Sequence, residues 1–268
     1  MTDLLSTEEF ITELFVRVDE KMAGVPKHPQ ANLWPGEVVA LALLFAVKGV
    51  GERAFYRWLA RDWRPLFPRL PDRTRLFRLF AAHRDWTERF LADPTFFGVA
   101  DTYGIELIPP IREGRSPRQI GRKGKSNRRW IVGVKLAVVL NRKGLVAAWD
   151  CATANVSDTE FRPLVRRFDG EMIVLTDGGF HAAEDRGGDP PNMKVCKPKT
   201  WGERMVVETV LSMLTAVSHL KKVGHRVWRY VLARLAFTVA AFNLLVQWRG
   251  LEPDADGDYH RSIAEFSL

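Results

Sequence analysis

Apolar residues recur at helical spacing through the first third of the chain and in short unbroken runs through its middle. Phe10, Ile11, Leu14 and Phe15 repeat every three or four residues behind Ser6 and Glu9, which have the spacing of a capping box. A Pro-rich connector, Gly24 to Trp34, leads to Pro35, which suits the first turn of a second helix running to about Lys48. After the turn Gly49-Val50-Gly51, a third helix carries Ala54, Phe55, Trp58 and Leu59 and is closed by Pro65. Asp72 then caps a fourth helix with Leu76, Phe77 and Phe80. Residues 1–92 therefore read as an all-α N-terminal domain, a separate helical unit.

From Thr95 the pattern becomes that of strands. Phe96 to Asp101 is a continuous apolar run ending in a carboxylate, as suits a central strand covered on both faces whose last residue reaches the sheet rim. Met172 to Asp177 repeats the pattern and is followed by Gly178-Gly179. Trp130 to Leu140 and Leu145 to Asp150 are β-rich runs joined by the hairpin connection Asn141-Arg142-Lys143-Gly144. Asp158 can cap a helix with Phe161, Leu164 and Val165, and Met193 to Cys196 reads as a short strand. Residues 201 to 217 and 224 to 248 read as helices, and a loosely ordered tail occupies 251–268 with Asp254, Asp256 and Asp258. The domain spanning 93–250 is therefore of the α/β class.

Composition narrows the function. Of 268 residues 46% are hydrophobic, enough for a real core, and the net charge of +8 favours a polyanionic partner, nucleic acid before membrane. Cys151 and Cys196 form no metal-binding pattern and suit a reducing cytoplasm. Val38 to Val47 is too short to span a bilayer, and Arg234 interrupts the apolar helix near the C-terminus, so no membrane association is expected. The excess charge gathers between Ile111 and Arg129, where Arg112, Arg115, Arg118, Arg122, Lys123, Lys125, Arg128 and Arg129 face a single acid, Glu113. Such a block reads as a mobile loop contacting nucleic acid or as a solvated loop. Helix, glycine turn and helix from 35 to 62, with arginines at 53, 57, 61 and 64, similarly suit DNA-end recognition or a bundle with a basic face.

The helix over 201–217 adds a third carboxylate. Val206, Val207, Val210, Leu211 and Leu214 form its buried stripe, while Arg204 and Glu208 share another face. A Glu beside a stripe that packs on the sheet reaches the rim where Asp101 and Asp177 end. Three converging carboxylates without a Cys or His cluster suit a hard cation, Mg²⁺ or Mn²⁺. Two such ions can clamp the attacking and leaving oxygens of an in-line displacement at phosphorus. Asp150 also ends an apolar run and is the main rival carboxylate, expected to be structural or solvated.

On these residues the chain resembles the DDE transposases of bacterial insertion sequences. Phe-Gly-Val-Ala-Asp101 resembles the family's first strand and Asp, and Asp177-Gly178-Gly179-Phe180 its second motif. Arg204 and Glu208 resemble its helix with Arg four before the Glu. Gly133-Val134-Lys135-Leu136 is similar to the second strand, and Ala154-Asn155-Val156-Ser157-Asp158 stands where many members have a Pro-Gly-Asn-x-x-Asp-like stretch. Two positions depart: Trp201 and Thr215 stand where many relatives have Tyr and Lys, and Lys221 or Lys222 is then expected to supply the missing DNA contact. The short interval from Asp177 to Glu208 leaves no room for the β-rich insertion domain of some branches.

The resemblance implies a ribonuclease-H-like mixed five-stranded sheet in the order 3-2-1-4-5, flanked by helices. It implies Asp101, Asp177 and Glu208 as catalytic metal ligands holding Mg²⁺ or Mn²⁺, two per site. Lys135 and Arg204 join the basic segment as DNA contacts. The implied activity is strand cleavage at element ends and transfer of the freed 3′ ends into target DNA, by a homodimer or larger oligomer on terminal inverted repeats. A ribonuclease-H-like nuclease and a catalytically inactive DNA-binding descendant stay open as alternatives.

Overall fold

Four helices occupy the first third of this computed structural model: α1 (Thr7–Lys21), α2 (Pro35–Lys48), α3 (Glu52–Asp62) and α4 (Arg73–Ala82). The structure describes residues 5–126, 129–183, 187–196, 203–217, 219–220, 223–253, 259, 261–266 and 268, with the backbone alone for 203–206 and 216. Both bonds of the capping box at α1 form, Ser6 Oγ accepting from Glu9 N and the Glu9 carboxylate accepting from Ser6 N at 2.8 Å. Gly49 ends α2 in the left-handed region (φ 64°), where a side chain costs strain, so the chain turns sharply into α3.

Helix α2 is buried along nearly its whole length because it lies between α1 and the long C-terminal helix α7 (Trp228–Arg249). α7 has the length and hydropathy of a membrane span, yet 83% of that window is buried within the protein. A single apolar cluster runs from Phe10, Leu41 and Phe55 through Leu235 and Phe242 to Val138 and Leu140 of the sheet. The helices of residues 1–92 thus share their core with α7 and one sheet face. Two buried polar residues of α7 complete this junction. Arg234 donates to the carbonyls of Phe45 at 2.6 Å and Ala46 at 3.1 Å, capping the C-terminus of α2. Asn243 donates to the carbonyls of Phe90 and Val146, each at 2.8 Å, and accepts from Val146 N. Arg234 is therefore a structural cap; burial lowers its pKa to about 10.

The sheet overturns the expected ribonuclease-H-like five-stranded order 3-2-1-4-5. Its six strands are β1 (Phe97–Ile108), β2 (Arg122–Ser126), β3 (Arg129–Asn141), β4 (Val146–Thr153), β5 (Ile173–Thr176) and β6 (Met193–Val195). The main path is β2-β3-β1-β5-β6, curled into a half-barrel, with β4 paired to β3 off that path. β1 is antiparallel to β3 and parallel to β5, and β5 is parallel to β6.

Two residue-level causes underlie the difference. The segment Arg122–Ser126, which by charge reads as part of a mobile basic loop, is an edge strand paired to Arg129–Gly133. Charge does not forbid a strand whose side chains reach water, and on an edge it discourages pairing with other chains. β1, in turn, does not end at Asp101 but continues to Ile108, because antiparallel pairing with β3 tolerates alternating polar residues once β5 stops. The curl follows from a bulge between Glu106 and Ile108. There the backbones approach so closely that a side chain on Gly133 would strike Ile105 and Leu107.

The second sheet face is covered by α5 (Arg162–Arg166), with Phe161, Val165 and Phe168 packed on Ala137, Val139 and Val174. Helix α6 (Glu203–Ala216) lies against β1 on the opposite face.

Candidate active site

β5 pairs with β1 only from Phe97 to Val99, opposite Ile173 to Leu175. Beyond that point the edge of β1 is bare, and a cleft of about 500 Å³ opens along Asp101, Thr102, Tyr103 and Gly104. Asp177 directly follows β5 and stands two residues beyond Leu175, as Asp101 stands two residues beyond its partner Val99 on β1. Strand alternation turns Asp101 and Tyr103 toward α6, and the Tyr103 hydroxyl meets Thr215 Oγ1 at 3.4 Å. Glu208, Leu211, Ser212 and Thr215, at helical spacing, line the α6 wall of the cleft. Asp101, Asp177 and Glu208, from β1, the end of β5 and α6, therefore line one cleft.

Asp158, read in the sequence as a helix cap and as the last residue of the stretch Ala154 to Asp158, lines the same cleft from the other sheet face. Ser157 takes the capping position instead, accepting from Thr159 N, which leaves the Asp158 carboxylate to point elsewhere. Its Oδ1 accepts from Thr102 Oγ1 at 3.0 Å and from Lys135 Nζ at 2.7 Å. The Lys135 side chain is only 13% exposed and also donates to the Val156 carbonyl at 2.7 Å. Lys135 thus holds Asp158 while itself lining the cleft. The sequence carried one signal of this, a lysine in an otherwise apolar strand.

The loop after β5 is shaped by its carboxylate. Asp177 Oδ1 accepts from Gly179 N at 2.9 Å. A Cβ at Gly179 would lie 2.8 Å from Asp158 Oδ2 and 3.0 Å from Asp177 Oδ1, so glycine leaves that space to the two carboxylates. His181, three residues after Gly178, is exposed and its Nδ1 lies 2.7 Å from Asp189 Oδ2. Asp189 is desolvated, yet bonds from Ala182 N and His181 outweigh that and lower its pKa.

Arg112, Arg115 and Arg118 are exposed on the connection between β1 and β2, and Arg122, Lys123, Lys125 and Arg129 are exposed on the β2–β3 ribbon. Lys125 and Ser126 bring this ribbon to the cleft wall. Lys123 pairs with Glu113 at 3.8 Å and Arg129 with Glu106 at 3.3 Å, exposed pairs of little stabilising value. Arg128, Lys221, Lys222 and Trp201 lie outside the described residues, as do Asp254, Asp256 and Asp258. Arg204 is placed in α6 by its backbone, its side chain outside the described part. Asp150 is exposed on β4 and lines a separate depression with Arg84 and Arg167.

Among the described residues no three His, Cys, Asp or Glu side chains stand close enough to hold one ion together. The donor set of the cleft, four carboxylates and no sulfur or imidazole, is nonetheless that of a hard cation. Mg²⁺ keeps several waters and takes one or two carboxylates plus substrate phosphates, so a wide cleft with paired carboxylates fits it. Comparison with protein-family models and with curated proteins finds no match to this chain.

Proposed function

We propose that this chain is a DNA transposase of the DDE type, catalysing metal-dependent strand cleavage at the ends of an insertion sequence and joining of those ends to target DNA. The observation that carries the reading is the meeting of Asp101, Asp177 and Glu208 in one cleft walled by the basic β2–β3 ribbon. It rests on the site and on the sequence resemblance, not on strand order, since function follows from the site grafted on a fold.

In this reading Asp101 and Asp177 are the principal cation ligands, and Glu208 completes the set from α6. These carboxylates would hold Mg²⁺ or Mn²⁺, which would supply Lewis-acid activation of the attacking oxygen and charge stabilisation at the leaving one. The residues of the chain do the positioning. Lys125 and its ribbon neighbours hold the phosphate backbone. Lys135 neutralises Asp158 and keeps it clear of the incoming phosphate. Gly179 keeps the space between Asp158 and Asp177 free. Water first opens the phosphodiester, leaving a 3′-hydroxyl; that hydroxyl then attacks a phosphorus of the target and expels the target's 3′-oxygen. No enzyme–DNA covalent bond is needed. Bringing two ends together calls for at least a dimer on DNA.

The test uses the DNA that flanks the coding region. Short inverted repeats there, nicked at their 3′ ends by the purified protein with Mg²⁺ or Mn²⁺ and joined to a second DNA, are the expected result. Cleavage of any duplex without joining would favour a nuclease instead. Binding without cleavage in either metal would favour an inactive DNA-binding descendant.

A further inference from the structure

The β2–β3 ribbon carries an indole where a charged edge has no structural need of one. Trp130 is 58% exposed on a ribbon whose other exposed described positions, Arg122, Lys123, Lys125 and Arg129, are all basic. It sits directly across from Lys125, so the two side chains project from the same face of the ribbon. Lys123, two residues before Lys125, lies on that face too, with its Nζ 5.6 Å from the Trp130 ring centroid. Arg122 and Arg129 are exposed on the same two strands, and Lys125 lines the cleft that holds the three carboxylates. An exposed aromatic face bracketed by cations is suited to a polyanion that also offers flat rings. Duplex DNA hides its rings by stacking, whereas an unpaired base presents both faces.

We propose that Trp130 is a stacking platform for an unpaired base beside the active site, with Lys123 and Lys125, on the same face of the ribbon, holding the flanking phosphates. The preferred ligand of this surface is then a nucleic-acid end with a short single-stranded segment, rather than a fully paired duplex. The inference deepens the transposase reading and rests on it for the nature of the polymer. Stacking is tolerant of base identity, so little preference among the four bases is expected.

The experiment measures equilibrium binding of the full chain to two fluorescently labelled oligonucleotides at one fixed salt concentration, a blunt duplex and the same duplex with a four-nucleotide 3′ tail. Trp130→Ala should weaken binding to the tailed DNA about tenfold and leave the blunt duplex within about twofold. Trp130→Phe, which keeps a ring, should recover most of the loss and guards against a folding defect in the alanine variant. Equal weakening on both DNAs, or none on the tailed DNA, would overturn the stacking role while leaving the nucleic-acid reading intact. A wild-type protein that binds neither DNA would overturn both. Tail-specific loss in Trp130→Ala with no recovery in Trp130→Phe would also count against stacking, because a phenyl ring can stack.

Discussion

Glu208 carries its charge on an exposed turn of α6, Asp101 on β1 and Asp177 just after β5, all lining the cleft, so each can lose that charge with little loss of packing. Asp101→Asn, Asp177→Asn and Glu208→Gln should each reduce cleavage and joining by more than a hundredfold, since even groups that only orient a ligand cost about 10–100-fold. DNA affinity should be unchanged in a filter-binding assay, because phosphate contacts come from Lys and Arg. Asp150→Asn, on the far strand, should stay active; an inactive, folded Asp150→Asn beside an active Glu208→Gln would displace Glu208 from the site. Gly179→Ala is a sharper probe. Its methyl would press on both Asp158 Oδ2 and Asp177 Oδ1, so activity should fall at least tenfold with the melting temperature nearly unmoved. Cys151 behaves differently again. Burial, then the charge of Asp150, pushes its thiol up to about 12 from an ordinary value of 9.0. Because the folded state holds its proton longer than the unfolded one, this contribution to stability is complete below pH 9 and is lost as the pH rises toward 12. Native protein at pH 8 should leave Cys151 unalkylated by iodoacetamide, with modification appearing only after denaturation, as read by mass spectrometry of the peptide.

The β2–β3 ribbon shows how an element can be misread through its charge. Local composition marks Arg122 to Ser126 as a solvated loop, yet the Gly124 backbone opposes Ile131 in a regular antiparallel ladder. The pairing partner is the next strand along the chain and leaves no trace in the strand's own alternation. A ladder also fixes where the cations sit, which a loop would not. Replacing Arg122, Lys123 and Lys125 together with Gln should weaken binding to all DNA sequences alike. The slope of log K against log salt should shrink by up to about 0.9 for each phosphate no longer neutralised. A defect confined to element ends, with random DNA unaffected, would mean that the ribbon reads bases through these cations. Helices were easier. The Ser6/Glu9 box, Pro35 at a first turn and Asp72 before α4 are local signals acting within one turn, and each stands where its spacing implies.

At the scale of the whole molecule, the apolar cluster that joins α2, α4 and α7 to the sheet alters what removal of the N-terminal helices should do. If residues 1–92 were a separate unit, a chain beginning near Thr95 would retain a folded sheet. Without α2 and α4, however, it would expose buried side chains of α7 such as Phe237 and strand the Arg234 guanidinium without its carbonyl partners. Leaving buried hydrogen-bonding groups unpaired costs about 1–3 kcal/mol each, more for a charged group, and the uncovered apolar surface adds to it. The fragment should therefore lose its near-ultraviolet circular dichroism and its cooperative melting transition. A fragment melting as sharply as the full chain would show that the sheet and α7 stand alone.

Periodicity, capping and turn chemistry determined the elements, because each depends on residues within a few positions of one another. The three carboxylates were legible for the same reason: two end apolar runs and the third sits at a definite place on a helical face. Only the tertiary structure decided the strand path, since pairing partners are chosen by burial and twist across the whole sheet. It decided that β1 runs past Asp101, because the strand that would have capped that edge stops at Thr176 and leaves the cleft open. It also paired Lys135 with Asp158, through a 2.7 Å bond between residues far apart in sequence. Such a partnership arises where a buried cation must find an anion, and which anion is within reach is set by packing, not by the residues next to it in the chain.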